Sequence, residues 1–314
     1  MLQKIIILGT GGTIAGWADD PAQAGQYRAA QVSIDDLVQG ASVWASGLSV
    51  EAEQVAQVDS KDMSDALWRD LLARVSHHLA RPDVSGVVIA HGTDTMEETA
   101  FFLSAMLPTG KPVVLTGAMR AANHPQPDGP TNLSDAVRLV ASRLVRGVCV
   151  MFAGQVHAGS KVQKISSSEL DAFSSMPYPA MGRMTPQGYQ GESLSPQPQG
   201  AWPTLERVLG SSVWPRVEWV TSHAGATPWL IRALMQADQG APPLRGLVVA
   251  GTGGGTVHAA WAQVLADCMA TGVEVWISTR CCSGRLKSEN SLMGQKVPWT
   301  PAQARVGLML TLIT

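Results

Sequence analysis

The chain has 314 residues, is 45% hydrophobic and 15% charged, and carries a formal net charge of −2. That composition can build buried cores and excludes a disordered polyelectrolyte. With no Lys/Arg block and no apolar run near the roughly 18 residues that cross a membrane, neither nucleic acid nor a membrane is expected as a partner.

Taken in chain order, the run Ile5-Ile6-Ile7-Leu8 predicts a first strand over Lys4–Leu8. It is shorter than the apolar core of a secretory leader, about 7–15 residues, so it is read as structure. The glycine string Gly9-Thr10-Gly11-Gly12-Thr13-Ile14-Ala15-Gly16 follows, then an irregular polar stretch over Trp17–Gln31 that contains Tyr27. Apolar residues at Leu67, Leu71, Leu72, Val75 and Leu79 predict a helix over Asp62–Leu79. A strand over Gly86–Ala90 leads into His91-Gly92-Thr93-Asp94-Thr95-Met96-Glu97-Glu98-Thr99, where Thr95 and Glu98 are spaced as a capping box for a helix over Met96–Met106. Strands over Pro112–Thr116 and Gly147–Phe152 flank a helix over Asn132–Val145. The segment Gly188–Pro215 is rich in Pro, Gly and Gln and reads as a linker in which Leu205–Leu209 forms at most one turn. Beyond it come strands over Glu218–Ser222, Gly246–Ala250 and Glu274–Ser278, with helices over Pro228–Ala237, Val257–Ala270 and Pro301–Ile313. Continuous apolar strands alternating with helices predict an α/β fold with parallel sheets covered on both faces. The expected organisation is a larger N-terminal domain over 1–187, a linker over 188–215 and a smaller C-terminal α/β domain over 216–314.

Cys149 and Cys268 sit in apolar runs and read as core fillers, while Cys281 and Cys282 are adjacent in sequence and form no Cys-x-x-Cys pair. A reducing compartment fits this usage. The histidines make no metal-ligand spacing, so no metal is expected. His91 ends a strand, where it can order the following loop. Neither glycine string completes a dinucleotide fingerprint, because Ile14 and Thr256 stand where the third glycine belongs. No P-loop and no Gly-x-Ser-x-Gly elbow occurs. What remains is threonine chemistry. Thr13 and Thr93 each follow a buried strand at the edge where open α/β sheets bind ligands. A threonine hydroxyl needs a neighbour to take its proton, and Tyr27, Lys164 and Asp94 are the candidates. Glycines beside both threonines let backbone N–H groups approach a substrate oxygen. On residues alone, Tyr27 reads first as surface packing.

The two strings together resemble the bacterial-type L-asparaginases of the asparaginase/glutaminase amidohydrolase family. Gly11–Gly16 is similar to the family's first signature and His91–Thr99 to its second. Thr116-Gly117-Ala118-Met119-Arg120 and Asp128-Gly129-Pro130 with Asn132-Leu133 match as well, and the similarity loosens after about Gly188. The resemblance implies a doubly wound, flavodoxin-like first domain and hydrolysis of L-asparagine to L-aspartate and ammonia without a cofactor. Carried onto this chain, it implies Thr13 as nucleophile, with Tyr27, Thr93, Asp94 and Lys164 as its catalytic partners. Gly12, Asp59, Ser60, Gly92, Thr93 and Asp94 would bind substrate, Ser60 through the α-carboxylate. It also implies a homotetramer built as a dimer of dimers, or a homodimer.

Departures from the family pattern fall at Lys61, Thr256 and Glu289. Relatives often place glutamine or glutamate at Lys61 to contact the substrate ammonium, and a lysine repels that charge unless it points away or pairs with Asp59 or Asp62. Thr256 replaces an asparagine that in some relatives reaches across a subunit interface. Glu289 is the nearest candidate for the glutamate they take from a neighbouring subunit. The alternatives are a broad glutaminase-asparaginase, the asparaginase-like subunit of a tRNA-dependent amidotransferase, and a non-catalytic amino-acid-binding protein on the same fold. A cytoplasmic setting is expected, with a periplasmic one as the alternative if a leader has been removed.

Overall fold

A computed structural model of the chain describes residues 3–20, 27–40, 49–236, 240, 242–284, 286 and 293–313. Its contacts divide into two units, Met1–Gln199 and Gly200–Thr314.

In the first unit the strands are β1 (Lys4–Gly11), β2 (Ser49–Val58), β3 (Val84–Ala90), β4 (Pro112–Thr116), β5 (Gly147–Phe152), β6 (Gln155–Ala158), β7 (Gln163–Lys164), β8 (Phe173–Ser174), β9 (Gly182–Thr185) and β10 (Gly188–Gly191). The helices are α1 (Ile34–Gly40), α2 (Asp65–Ala80), α3 (Met96–Met106) and α4 (Gly129–Ser142). The main sheet has eight strands in the order β10-β9-β6-β5-β4-β3-β1-β2. From β2 to β5 all pairs are parallel, and β6, β9 and β10 extend the sheet antiparallel. The parallel part, β2-β1-β3-β4-β5, is the doubly wound order of flavodoxin-like folds. Alternate residues of each strand face opposite layers. Ile5 and Ile7 of β1, Val88 of β3 and Val114 of β4 pack in one core with Leu133, Ala136, Val137 and Val140 of α4. Helix α2 covers β2 and β3, and α3 lies against β5.

The second unit holds β11 (Arg216–Thr221), β12 (Leu244–Gly251), β13 (Glu274–Thr279) and β14 (Gln295–Lys296), paired in that order and all parallel. Its helices are α5 (Leu205–Gly210), α6 (Trp229–Met235), α7 (Ala262–Ala270) and α8 (Pro301–Thr311). Thr300 and Gln303 form a reciprocal capping box at the start of α8, which packs across β11, β12 and β13.

Each predicted strand is present, with ends moved by up to three residues, for example Lys4–Leu8 to Lys4–Gly11. Helix α2 begins at Asp65 rather than Asp62, because Ser64 accepts the Leu67 N–H as its cap while Ser60–Asp62 form a separate 3-10 turn. The predicted capping box at Thr95 is not formed: Thr95 holds the N-cap position without a side-chain cap, and its hydroxyl instead donates 2.7 Å to the Ser60 carbonyl. Within the segment read as a linker, Gly188–Gly191 is the edge strand β10 and Leu205–Gly210 is the helix α5. Strand β2 escapes the sequence pattern because its glutamates face cations rather than water: Glu51 pairs with Lys4 and Arg81, and Glu53 with Arg74 and His78. Ala237 and Glu289 lie outside the described residues, as does part of Trp17–Gln31.

Candidate active site

The strand order changes direction between β1 and β3, which makes their carboxyl ends the topological switch point of the sheet. Both threonine strings begin there. Beyond β1 the chain turns through Gly11 and Gly12, with φ of 106° and 79°, into a 3-10 turn over Thr13–Ala15. Beyond β3 it passes His91 and Gly92 before Thr93. The two turns touch through glycine: a Cβ added to Gly12 would stand 2.2 Å from the Gly92 Cα. A Cβ on Gly92 would in turn stand 2.6 Å from the Ser60 hydroxyl. Three loop ends, after β1, β2 and β3, thus meet at a distance only bare backbone allows.

Thr13 is buried, and its hydroxyl lies 2.7 Å from the Tyr27 hydroxyl. The backbone around the intervening loop is fixed at both ends. Trp17 and Arg28 exchange two hydrogen bonds of 2.9 Å, and the Ala30 N–H donates 3.0 Å to the Gly12 carbonyl. Asn123 clasps the Ala18 peptide by donating 2.7 Å to its carbonyl and accepting 2.9 Å from its N–H.

Thr93 is buried as well and meets a cation. Lys164 Nζ donates 2.8 Å to Thr93 Oγ1 and 2.6 Å to Asp94 Oδ1. Lys164 stands on β7, in an antiparallel hairpin with β8 that places it opposite Phe173. The Phe173 ring packs edge-on against Phe152, 4.9 Å between centroids, which anchors the hairpin to the end of β5. Its backbone is tied too: the Lys164 N–H donates 2.6 Å to Glu97 Oε2. Burial pushes the Glu97 carboxyl up to about 7.

Ser60 is buried and accepts 3.2 Å from the Asp94 N–H. Asp59 caps the Ser60–Asp62 turn. Lys61 Nζ donates 3.1 Å to Asp59 and 2.8 Å to Asp62, and these two bonds raise its pKa. The charge of Lys61 is thereby met by its own neighbours.

Among the described residues no hydrogen bond occupies the backbone N–H of Thr13 or Thr93. No group of His, Cys, Asp and Glu among the described residues is arranged to hold a metal ion. The predicted Thr13 and Tyr27 come together, as do Thr93, Asp94 and Lys164, and Gly12, Gly92 and Ser60 join the two groups. Thr256 lies in the second unit, where its hydroxyl bonds Thr252 at 2.8 Å. Sequence reasoning missed Glu97, a supporting group whose only signal was an acid in the first turn of a helix with apolar neighbours. It also missed Asp128, whose carboxylate accepts the Met119 and Arg120 N–H groups at 2.9 Å.

Residues 4–194 match the family model described as asparaginase, N-terminal, and residues 216–314 match the glutaminase/asparaginase C-terminal domain. The chain is 33% identical to "L-asparaginase 2" of Escherichia coli over 99% of its length and 89% of that protein. It is 31% identical to "Glutaminase-asparaginase" of Pseudomonas fluorescens, over 99% of the chain and 86% of the relative. A crystal structure of a probable cytoplasmic L-asparaginase from Campylobacter jejuni superposes with a TM-score of 0.86 at 32% identity, covering 99% of this chain and 95% of that one. The loops that carry Thr13 and Thr93 fall within the first matched segment, and with both segments matched in order the chain belongs to the asparaginase family of amidohydrolases.

Proposed function

We propose that this asparaginase cleaves the side-chain amide of L-asparagine through an acyl-enzyme on Thr13. The observation that carries the reading is the 2.7 Å contact between the Thr13 and Tyr27 hydroxyls at the switch point, beside the Lys164–Thr93–Asp94 cluster. Thr13 Oγ1 attacks the amide carbon while its proton moves to the Tyr27 oxygen, and Tyr27 passes its own proton to the departing amide nitrogen. The free N–H groups of Thr13 and Thr93 face the developing oxyanion, a term worth about 10²–10³ in rate per donor. Ammonia leaves with a proton, and water then attacks the aspartyl ester, releasing L-aspartate and restoring the Thr13 hydroxyl. Lys164, held by Asp94, polarises Thr93 for its part in these proton transfers. Asp94 has its second carboxylate oxygen without a hydrogen bond among the described residues, and takes the substrate α-ammonium there. Ser60 and Gly92 receive the α-carboxylate end. Asp59, already bonded to Lys61, shapes that end of the pocket.

A broader glutaminase-asparaginase is the second reading, favoured by the similarity to the Pseudomonas fluorescens protein of that name. One methylene is worth only about 1–3 kcal/mol of discrimination in a pocket, so the two activities are a matter of degree. We further place the enzyme in the cytoplasm, in keeping with the four free cysteines, two of them exposed. A homo-oligomer, dimer or tetramer, is supported by large exposed apolar side chains such as Trp229, 72% exposed, and Leu230, 54% exposed.

Ammonia release from L-asparagine and L-glutamine, by wild type and Thr13→Ala, tests the reading. Asparagine hydrolysis abolished in a folded Thr13→Ala variant is the expected result. Wild-type rates in that variant would end the assignment.

A further inference from the structure

A hydrogen-bond chain with a single allowed direction runs through the core to the peptide between Gly92 and Thr93. Trp68 Nε1 of α2 donates 2.9 Å to Thr99 Oγ1 of α3. Thr99 Oγ1 lies 3.0 Å from His91 Nε2, and His91 Nδ1 lies 2.7 Å from the Gly92 carbonyl. Trp68, Thr99 and His91 are all buried, and none is part of the catalytic cluster. Both ends fix the protons. An indole N–H only donates and a carbonyl only accepts. His91 Nδ1 must therefore carry the hydrogen, and in the neutral ring Nε2 then accepts and the Thr99 hydroxyl donates to it. Burial lowers the His91 pKa to about 4, which keeps the ring neutral at working pH.

The Gly92 carbonyl and the Thr93 N–H belong to one planar trans peptide and point in opposite directions. A donor on the carbonyl thus fixes where the N–H aims, and it polarises that N–H as members of hydrogen-bonded chains polarise one another. We propose that His91 is a positioning residue for catalysis: held as the Nδ1–H tautomer by Thr99 and Trp68, it pins and polarises the Gly92–Thr93 peptide so that the Thr93 N–H serves as an oxyanion donor. This rests on the reading of the Thr93 N–H given under the proposed function.

Two measurements test it. In wild-type protein labelled with ¹⁵N-histidine, long-range ¹H–¹⁵N correlation at pH 7 reads the tautomer directly, with His91→Asn identifying the signal. A protonated Nδ1 and a bare Nε2 are expected, and an Nε2–H or doubly protonated ring overturns the proposal. In kinetics on L-asparagine, His91→Leu is expected to lower kcat about 10- to 100-fold with KM nearly unchanged, below the full loss of an oxyanion donor. His91→Asn, whose amide N–H can stand near the Nδ1 position, is expected to recover most of that loss. Thr99→Val is expected to lower kcat about 3- to 10-fold, with Thr99→Ser restoring it and Trp68→Phe showing the smallest change. An unchanged kcat in His91→Leu overturns the proposal, as does a parallel loss in Trp68→Phe, which would mark damage to α2–α3 packing instead. The tautomer measurement needs no variant to turn over substrate. Thr13→Ala reports separately on the acyl-enzyme reading, so loss of activity there with full activity in His91→Leu removes this proposal alone.

Discussion

The two threonines of the site follow equivalent strands of one sheet, yet they are held in opposite ways. Thr93 is met by an ammonium with three tethers: Lys164 bonds Thr93 and Asp94 through Nζ and Glu97 through its backbone N–H. Thr13 is met by one phenol, and that phenol hangs from a loop whose ends are fixed by backbone pairs at Trp17–Arg28 and Ala30–Gly12. One side of the site is preorganised by packed elements, which is what electrostatic stabilisation requires. The other is met by a phenol that a loop delivers, which suits the proton transfer proposed for Tyr27 once substrate is present.

Breaking the rigid side should cost most. Lys164→Met is expected to lower kcat/KM about 10²–10³-fold, because Thr93 loses the only side-chain partner it has among the described residues and Asp94 loses its cation. Stability should change little, about 1 kcal/mol or less, since the Asp94 side chain is 56% exposed and can be solvated. Steady-state kinetics and urea unfolding separate the two effects. On the loop side, Tyr27→Phe removes the proposed proton acceptor and leaves the ring, so a fall in kcat of about 10–10²-fold is expected with the fold intact. A Tyr27→Phe loss exceeding that of Lys164→Met would reverse the comparison.

The tether at Glu97 sharpens it through pH. Burial raises this carboxyl from 4.5 to about 7, so the fold keeps a proton that the unfolded chain has released. Stability from this group is complete below about 4.5 and declines as pH rises to about 7, by at most about 3 kcal/mol. His91 and His157 act with the opposite sign: burial lowers each from 6.5 to about 4, so their contribution is present above 6.5 and is lost as pH falls toward 4. Glu97→Gln keeps an oxygen for the Lys164 N–H and should flatten the decline above pH 4.5 while leaving the acid limb. Thermal unfolding across pH 4 to 8 measures both limbs, and an unaltered profile in Glu97→Gln would contradict the assignment. The smallest effect is expected at Arg28. Its 2.8 Å pair with Asp19 has side chains 66% and 84% exposed, so Arg28→Ala should cost about 0–1 kcal/mol and change activity less than twofold.

Much of this arrangement was legible in the sequence. Strands β1 and β3 announce themselves as apolar runs, and the strings after them carry Gly12, Thr13, Gly92, Thr93 and Asp94 in unbroken order. Local patterns could not reveal what arrives from elsewhere in the chain. Lys164 reaches Thr93 across 71 positions on a two-residue strand too short to leave a periodicity. Ser60 reaches the same loop by drawing off the Thr95 hydroxyl, which is why a well-spaced capping box is absent where the pattern called for one. Strand β2 is an edge whose glutamates look solvent-facing until Lys4 and Arg81 are placed beside them. Tyr27 carries little local signal: it stands in a polar loop near the first glycine string, reads first as surface packing on residues alone, and is assigned to the site by the family resemblance.

In the proposed mechanism Thr13, and not Thr93, bonds to the substrate. Acid quenching during turnover of L-asparagine, followed by peptide mass spectrometry, tests it most directly. An aspartyl adduct is expected on the peptide bearing Thr13, absent in Thr13→Ala. An adduct on the peptide bearing Thr93, or one that persists in Thr13→Ala, would contradict it.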